Sequence, residues 1–294
     1  MDGVFNVLKP PDMTSHDVVA FLRRVLQTKK IGHGGTLDPD AAGVLPVFAG
    51  SATRLLEFAV DGQKEYLVEL ILGKRTDTGD DSGKVVEEAS VPELNEETVR
   101  KALTGFLGSQ LQVPPMYSAL KVEGKKLYEL ARKGVEVERE PRPIEIYKLE
   151  LKHMLQSETE TRLTLVVQCS KGTYIRVLVE DIAKALGTCG TMSFLLRTQV
   201  GQYLLNDAHT LQEIAESPES CKGELLGAVS QLPRLQMTPR QAERLTSGVR
   251  TTLRGTPSGR YVLLGPGGEF LGIGRCEQEQ VQAEKILASY RAEL

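Results

Sequence analysis

One acid, Asp38, stands in the middle of Gly32-His33-Gly34-Gly35-Thr36-Leu37-Asp38-Pro39-Asp40-Ala41-Ala42-Gly43-Val44-Leu45. Glycine lets the backbone take unusual conformations and come close to a ligand. Leu37 is an apolar anchor on one side of the acid, and Pro39 is stiff on the other. A carboxylate held this way can be presented to a ligand against backbone that leaves room for it. The glycines and proline predict a loop throughout Gly32 to Leu45. Asp-Pro also has an ordinary use, as a helix N-cap followed by proline in the first turn, and spacing alone leaves both uses open.

Other residues have suitable chemistry but an equally plain alternative. Tyr66 offers an aromatic face and a hydroxyl able to pass a proton, yet alone it reads as an ordinary strand tyrosine with a wet tip. Arg176 alone reads as a solvated arginine at a helix start. His33 alone is a solvent-exposed loop histidine, and the pattern around Leu195 assigns it to the core. Asp77-Thr78-Gly79-Asp80-Asp81-Ser82-Gly83 approaches a calcium loop but lacks the oxygen ligand at its third position and the glycine at its sixth, so it reads as a polar turn. Gly32-x-Gly34-Gly35 is neither a dinucleotide fingerprint nor a P-loop. His16-Asp17 are adjacent on a helix and do not face each other.

The elements that must position these residues follow from periodicity and punctuation. Val4 to Leu8 reads as a strand, and Thr14 or Ser15 caps a helix from about Asp17 to Leu26. Ala52 to Phe58 and Asn95 or Glu96 to Leu103 read as short helices, and Tyr66 to Leu72 as a strand. Residues 108–143 form an excursion, irregular over Val113 to Tyr117, with an amphipathic helix over Gly124 to Lys133. Strands follow at Ile144 to Leu151 and Arg162 to Gln168. The loop Ser170-Lys171-Gly172-Thr173 then opens a helix with Ile175, Leu178, Val179, Ile182 and Leu186 on one face. After Pro233 come a helix over Thr238 to Leu245 and strands at Tyr261 to Leu264 and Phe270 to Gly274, a texture resembling a small β-barrel.

Composition sets the class. A chain of 294 residues with 40% hydrophobic and 26% charged residues buries a sizeable core in one large or two unequal domains. No apolar run reaches membrane-spanning length and the N-terminus has no signal-peptide pattern, so a cytoplasmic, membrane-free protein is expected. Cys169, Cys189, Cys221 and Cys276 are far apart, which argues against a zinc site or a disulfide framework. Four histidines make a histidine metal site an unpromising reading. Net charge is −3, but residues 76–100 hold eight acids against two bases, which leaves the remaining chain at +3. A basic RNA surface is compatible with these counts and not required by them.

The signature around Asp38 resembles that of the bacterial-type pseudouridine synthases that modify uridine 55 in the T-loop of transfer RNA, in which G-H-x-G-T-L-D-P-x-A-x-G-V-L surrounds a catalytic aspartate. Other segments share the resemblance. Lys9-Pro10-Pro11-Asp12-Met13-Thr14-Ser15 is similar to K-P-x-G-x-T-S, with Asp12 in place of the glycine. Lys64-Glu65-Tyr66 is similar to the motif with the base-stacking tyrosine. Ser170-Lys171-Gly172-Thr173-Tyr174-Ile175-Arg176 resembles the motif that supplies a base-contacting tyrosine and an arginine paired with the aspartate. Phe194-Leu195-Leu196-Arg197 resembles the last motif, usually L-R-R, with Leu196 as a departure. Met116-Tyr117-Ser118-Ala119-Leu120-Lys121 and Gly124-Lys125-Lys126-Leu127-Tyr128 resemble the RNA-gripping insertion.

The resemblance implies an α/β (α+β) fold: a bent mixed, largely antiparallel sheet with flanking helices. Residues 1–232 would form the catalytic domain, with the insertion at about 108–143, and 233–294 a small PUA-like RNA-binding β domain. It implies Asp38 as nucleophile, Arg176 as its ion-pair partner keeping it ionised, and Tyr66 as stacking and proton-transfer residue. His33, Tyr66, Tyr174 and Leu195 would contact a flipped-out base, with His33 filling the vacated stack, and Lys9 and Pro10 would be structural. No metal, nucleotide or redox cofactor is implied. The expected partner is the T-stem-loop of transfer RNA, bound by a monomer with no obligatory protein partner. Two rivals use the same features differently: an RNA chaperone without chemistry, and a metabolite-binding α/β enzyme with no salt-dependent RNA affinity.

Overall fold

A computed structural model describes residues 1–59, 62–118, 120–122, 124–131, 133–288 and 290. The larger part is one mixed sheet of ten strands. Across it run Lys222–Gly223, Gly3–Lys9, Ala42–Ala49, Gly190–Val200, Lys64–Leu72, Thr161–Cys169, Arg142–Gln156 and Gly108–Gln112. Two short strands, Ile31–His33 and Tyr203–Leu204, pair off this path. Pairing on the main path is antiparallel except where Gly190–Val200 meets Ala42–Ala49, with Leu196 opposite Ala42 and Arg197 opposite Gly43. This largely antiparallel mixed sheet with flanking helices is the architecture expected from sequence.

Period-two alternation makes the central strands. In Thr161–Cys169 every second residue is buried, so one face meets the apolar side of helix Ile175–Ala185 through Leu178, Val179 and Ile182. Helix Ser15–Val25 has a capping box in which Thr14 and Asp17 bond reciprocally. Its Val18, Val19 and Leu22 pack under the Phe5, Val7, Leu45 and Val47 end of the sheet.

Several expectations need correction. Gly32 to Leu45 is not all loop: Gly32 and His33 belong to Ile31–His33, which pairs with Ala42–Ala49. The free loop is 34–41, because backbone pairing overrides the local preference of glycine. No helix follows Asp38, so the N-cap reading fails. Residues 108–112 do not leave the sheet; they form its outer strand, paired with Arg142–Gln156. Within the excursion, the hairpin of Lys121–Val122 with Lys125–Lys126 and the short helix Leu127–Ala131 replace the long helix expected over Gly124 to Lys133. Ala119 of the Met116–Lys121 motif and Arg132 of that helix lie outside the described residues.

Residues 234–286 carry a second, five-stranded sheet: Arg234–Gln236, Gly259–Leu264, Phe270–Glu277, Gln280–Ile286 and Thr251–Thr252 in spatial order. Its core includes Leu245, Leu263 and Val281. Val262, Leu264 and Ile273 pack instead against Phe48, Leu55 and Phe58 of the larger part. Arg54 donates to the Ile286 carbonyl across the same junction, and the Arg260 guanidinium lies 5.3 Å from the Phe58 ring centre.

Candidate active site

The loop that carries Asp38 is pinned by residues distant in sequence. Lys9, fully buried, donates from Nζ to the carbonyls of Pro10 (2.7 Å), Pro39 (2.9 Å) and Ala41 (2.6 Å). Burial pulls its ammonium down to about 8, against the opposing charges of Asp40 and Asp38. Ser15 holds Leu37 twice, accepting from its amide at 2.9 Å and donating to its carbonyl at 3.2 Å. From the other side Arg197, also fully buried, donates to the carbonyls of Gly35 (3.0 Å), Thr36 (3.4 Å) and Val44 (2.8 Å). Gly43 permits the last approach, since its φ is 115° and a Cβ there would collide with the Arg197 backbone. Buried cations are costly unless hydrogen-bonded, and here loop carbonyls satisfy them.

Thus the segment from Lys9 to Ser15 serves the Asp38 loop. Asp12 within it has a φ of 63°, the left-handed region where glycine is at ease and other residues are strained. Asp12→Gly is expected to stabilise the fold by about 1 kcal/mol, partly offset by the freer unfolded chain. A thermal melt that rises by about 2 °C would bear this out; an unchanged or lower midpoint would refute it.

Arg176 sits in the first turn of its helix with its side chain only 8% exposed, which rules out the solvated reading. Its Nε is 3.1 Å from Asp38 Oδ2. Nη1 donates to the Thr78 carbonyl and Nη2 to the Tyr117 carbonyl, both at 2.9 Å. Asp80 Oδ2 is 3.7 Å from Nη1, and Asp80 is itself held by the hydroxyls of Thr78 and Ser82 at 2.7 and 2.6 Å. The polar turn dismissed as a failed calcium loop therefore orients the arginine. Every polar edge of the guanidinium is directed, which fixes it against Asp38.

Asp38 opens into a cavity of about 300 Å³ lined by Thr36, Leu37, Lys64, Tyr66, Tyr117, Ser118, Leu120, Gly172, Thr173, Tyr174, Ile175, Arg176 and Leu195. Its side chain is 39% exposed, so a ligand in the cavity can reach it. Burial nevertheless pushes its carboxyl above the usual range; Arg176 opposes that rise, while Asp80 adds to it. Tyr66 is buried, and that burial raises its hydroxyl while the Arg197 charge and hydrogen bond pull it back. Tyr66 faces Arg197 in strand register, and Leu195 faces Val68. Tyr174 is set by a two-way bond between its backbone and the Gln112 side chain, at 2.8 and 3.1 Å. Leu195 is both core and wall, so the two readings of it coincide.

Among the residues singled out from sequence, Asp38, Arg176, Tyr66, Tyr174 and Leu195 meet at this cavity. His33 does not line it; it ends the strand before the loop, with Nδ1 buried and without a hydrogen-bond partner. Burial lowers its imidazole, so it is neutral at pH 7. Lys9 and Pro10 lie beneath the loop. Arg197, Ser15, Asp80 and Lys64 were not chosen from sequence, although Arg197, Ser15 and Lys64 stood inside quoted motifs and Asp80 inside the rejected calcium loop. Among the described residues no group of three or more His, Cys, Asp or Glu side chains could hold a metal ion.

Comparison with known proteins gives the family. Residues 23–175 match the TruB family pseudouridylate synthase N-terminal domain, and 176–228 match the tRNA pseudouridylate synthase B C-terminal domain. The chain is 43% identical over 288 residues to tRNA pseudouridine synthase B of Caldanaerobacter subterraneus, covering 97% of this chain and 99% of the relative. It is 49% identical to the protein of the same name from Symbiobacterium thermophilum, over 86% of this chain and 84% of that one. Among solved structures, a Cbf5-Nop10-Gar1 complex superimposes with a TM-score of 0.74 at 25% identity, covering 97% of this chain and 84% of that chain. With the sheet, the pinned loop and the Asp38–Arg176 pair in place, these similarities establish that the chain belongs to the TruB family of pseudouridylate synthases.

Proposed function

We propose that this protein isomerises uridine 55 in the T-loop of transfer RNA to pseudouridine, with Asp38 as the nucleophile. The observation that carries the reading is the Asp38–Arg176 pair at 3.1 Å on the wall of a cavity of about 300 Å³ that a buried tyrosine, Tyr66, also lines. That volume suits one nucleotide and lies at the small end of ligand pockets. The base of a folded loop must leave its stack to enter, at a cost of a few kcal/mol.

The reaction breaks the N1–C1′ bond, turns the freed uracil and rejoins it to C1′ through C5. Asp38 supports this by attacking covalently, or by assisting formation of a glycal from the sugar. Arg176 keeps the carboxylate charged and aimed. The Tyr66 ring stacks on the base, and its hydroxyl, still protonated at neutral pH, mediates proton transfer. Tyr174 and Leu195 close the sides. His33, outside the cavity and neutral, is available to fill the gap left in the RNA. Residues 113–141 would grip the RNA above the site. The C-terminal sheet would act as a PUA-type unit, consistent with nine Lys or Arg against six acids in residues 233–294.

The test is isomerisation of an unmodified transfer RNA transcript without added metal or cofactor. Pseudouridine is expected at position 55 and nowhere else, and a transcript with cytidine at that position is expected to yield none. Folded protein that binds and remodels the RNA without forming pseudouridine would favour a chaperone.

A further inference from the structure

Lys64 lies within the cavity wall, beside Tyr66 on the same strand. Its ammonium reaches the backbone of the Asp38 loop: a Cβ at Gly35 would stand 3.3 Å from Lys64 Nζ and 3.6 Å from Arg197 Nη1. Two cations therefore converge on one loop residue. The charged or titratable groups facing Lys64 are Arg197 from Gly190–Val200, Cys169 at the end of Thr161–Cys169, and Lys171 in the loop that follows. Among the described residues, none of these is a carboxylate. Burial pushes the Cys169 thiol up to about 11, so it is neutral and supplies no counter-charge. Burial first, then Arg197, brings the Lys64 ammonium down to about 8. It remains mostly protonated at pH 7.

The cavity thus holds two kinds of charge. Asp38 and Arg176 pair within it, and Lys64 adds a positive charge that no carboxylate among the described residues is seen to face. Burying a charge without a counter-charge is unfavourable, and an anionic ligand relieves it. Uracil is neutral until its glycosidic bond breaks, whereas a phosphodiester is anionic throughout. A positive charge built into the resting site suits the permanent anion. We propose that Lys64 is a substrate-binding residue that takes a backbone phosphate of the nucleotide seated in the cavity, fixing the sugar relative to Asp38. This rests on the nucleotide substrate proposed above.

The test compares wild type, Lys64→Met and Lys64→Arg on a T-stem-loop RNA, measuring RNA binding and pseudouridine formation separately. Lys64→Met is expected to weaken binding and raise KM about tenfold, the effect of losing one charge-assisted hydrogen bond, while kcat changes much less. The slope of log affinity against log salt should become shallower by about 0.7–0.9, one phosphate contact. Lys64→Arg should restore both. Wild-type affinity should fall as pH rises through about 8, and that of Lys64→Arg should not. An unchanged affinity and salt slope in Lys64→Met overturns the proposal. A fall in kcat with binding intact also overturns it, assigning Lys64 to the departing uracil anion instead. A wild type that binds RNA but forms no pseudouridine overturns the substrate reading, and the binding comparison still decides whether Lys64 holds a phosphate.

Discussion

Asp38→Asn is expected to reduce pseudouridine formation by at least about 10⁴-fold, the scale seen when a nucleophile is removed, while transfer RNA binding is retained. The amide keeps the size of the carboxyl and a hydrogen-bonding oxygen, so the loop pinned by Lys9, Ser15 and Arg197 stays in place. Single-turnover isomerisation with saturating enzyme separates this loss from weak binding. The acid limb of the wild-type rate follows from the same geometry. Asp38 must be ionised, and its carboxyl is raised above 3.8. Activity should therefore fail, as pH drops, at a higher pH than for a solvent-exposed aspartate. The stability effect has a definite sign. A carboxyl whose folded pKa lies above its unfolded value favours the fold below the unfolded value and loses that contribution as pH rises through the folded one. At pH 7 the contribution is gone, so the Asn variant should melt no lower than wild type. Residual isomerisation within tenfold of wild type would remove Asp38 from the chemistry.

Arg197→Met is expected to damage stability and activity together. The buried Val44 carbonyl and the part-buried carbonyls of Gly35 and Thr36 would lose their donor; a buried acceptor left unsatisfied costs about 1–3 kcal/mol, and one that water can reach costs less. Loss of the buried charge offsets part of this, leaving a destabilisation of about 2 kcal/mol. Because the carbonyls belong to Gly35, Thr36 and Val44, on both sides of Asp38, the carboxylate would shift. A displacement of about 1 Å is enough to lower the rate about 100-fold. Urea unfolding and steady-state kinetics on the same preparation read both effects. Arg197→Lys keeps the charge but not the planar fork, so it should recover part of the stability and little of the rate. Wild-type kinetics in either variant would show that the loop holds itself.

Part of this site was legible in the residues because local chemistry announces itself. Thr14 with Asp17 ahead of Val18, Val19 and Leu22 marks a helix, and the helix forms there. The Asp38 segment was found by its own glycines and proline. What those residues concealed was pairing: Gly32, His33 and Ala42 to Leu45 join strands because Ala42–Ala49 offers them partners. Arg197 was quoted within a motif but not chosen. No local pattern tells that a strand arginine is wholly buried or that its donors cross to carbonyls more than 150 residues away. Asp80 was missed because the turn was judged against a metal loop, and its actual partner is a guanidinium from a distant helix. Tertiary contact decided each of these.

The strand Gly190–Val200 lies between Ala42–Ala49 and Lys64–Leu72, both made much earlier in synthesis. Until residue 200 leaves the ribosome, those two strands have no common neighbour, and the Asp38 loop lacks the arginine that fixes its far side. A nascent chain shorter than this carries the signature segment but not the site. Closure of the sheet and fixing of the Asp38 loop thus depend on one late strand, so a chain cut short of it holds the loop's residues without the contacts that position them.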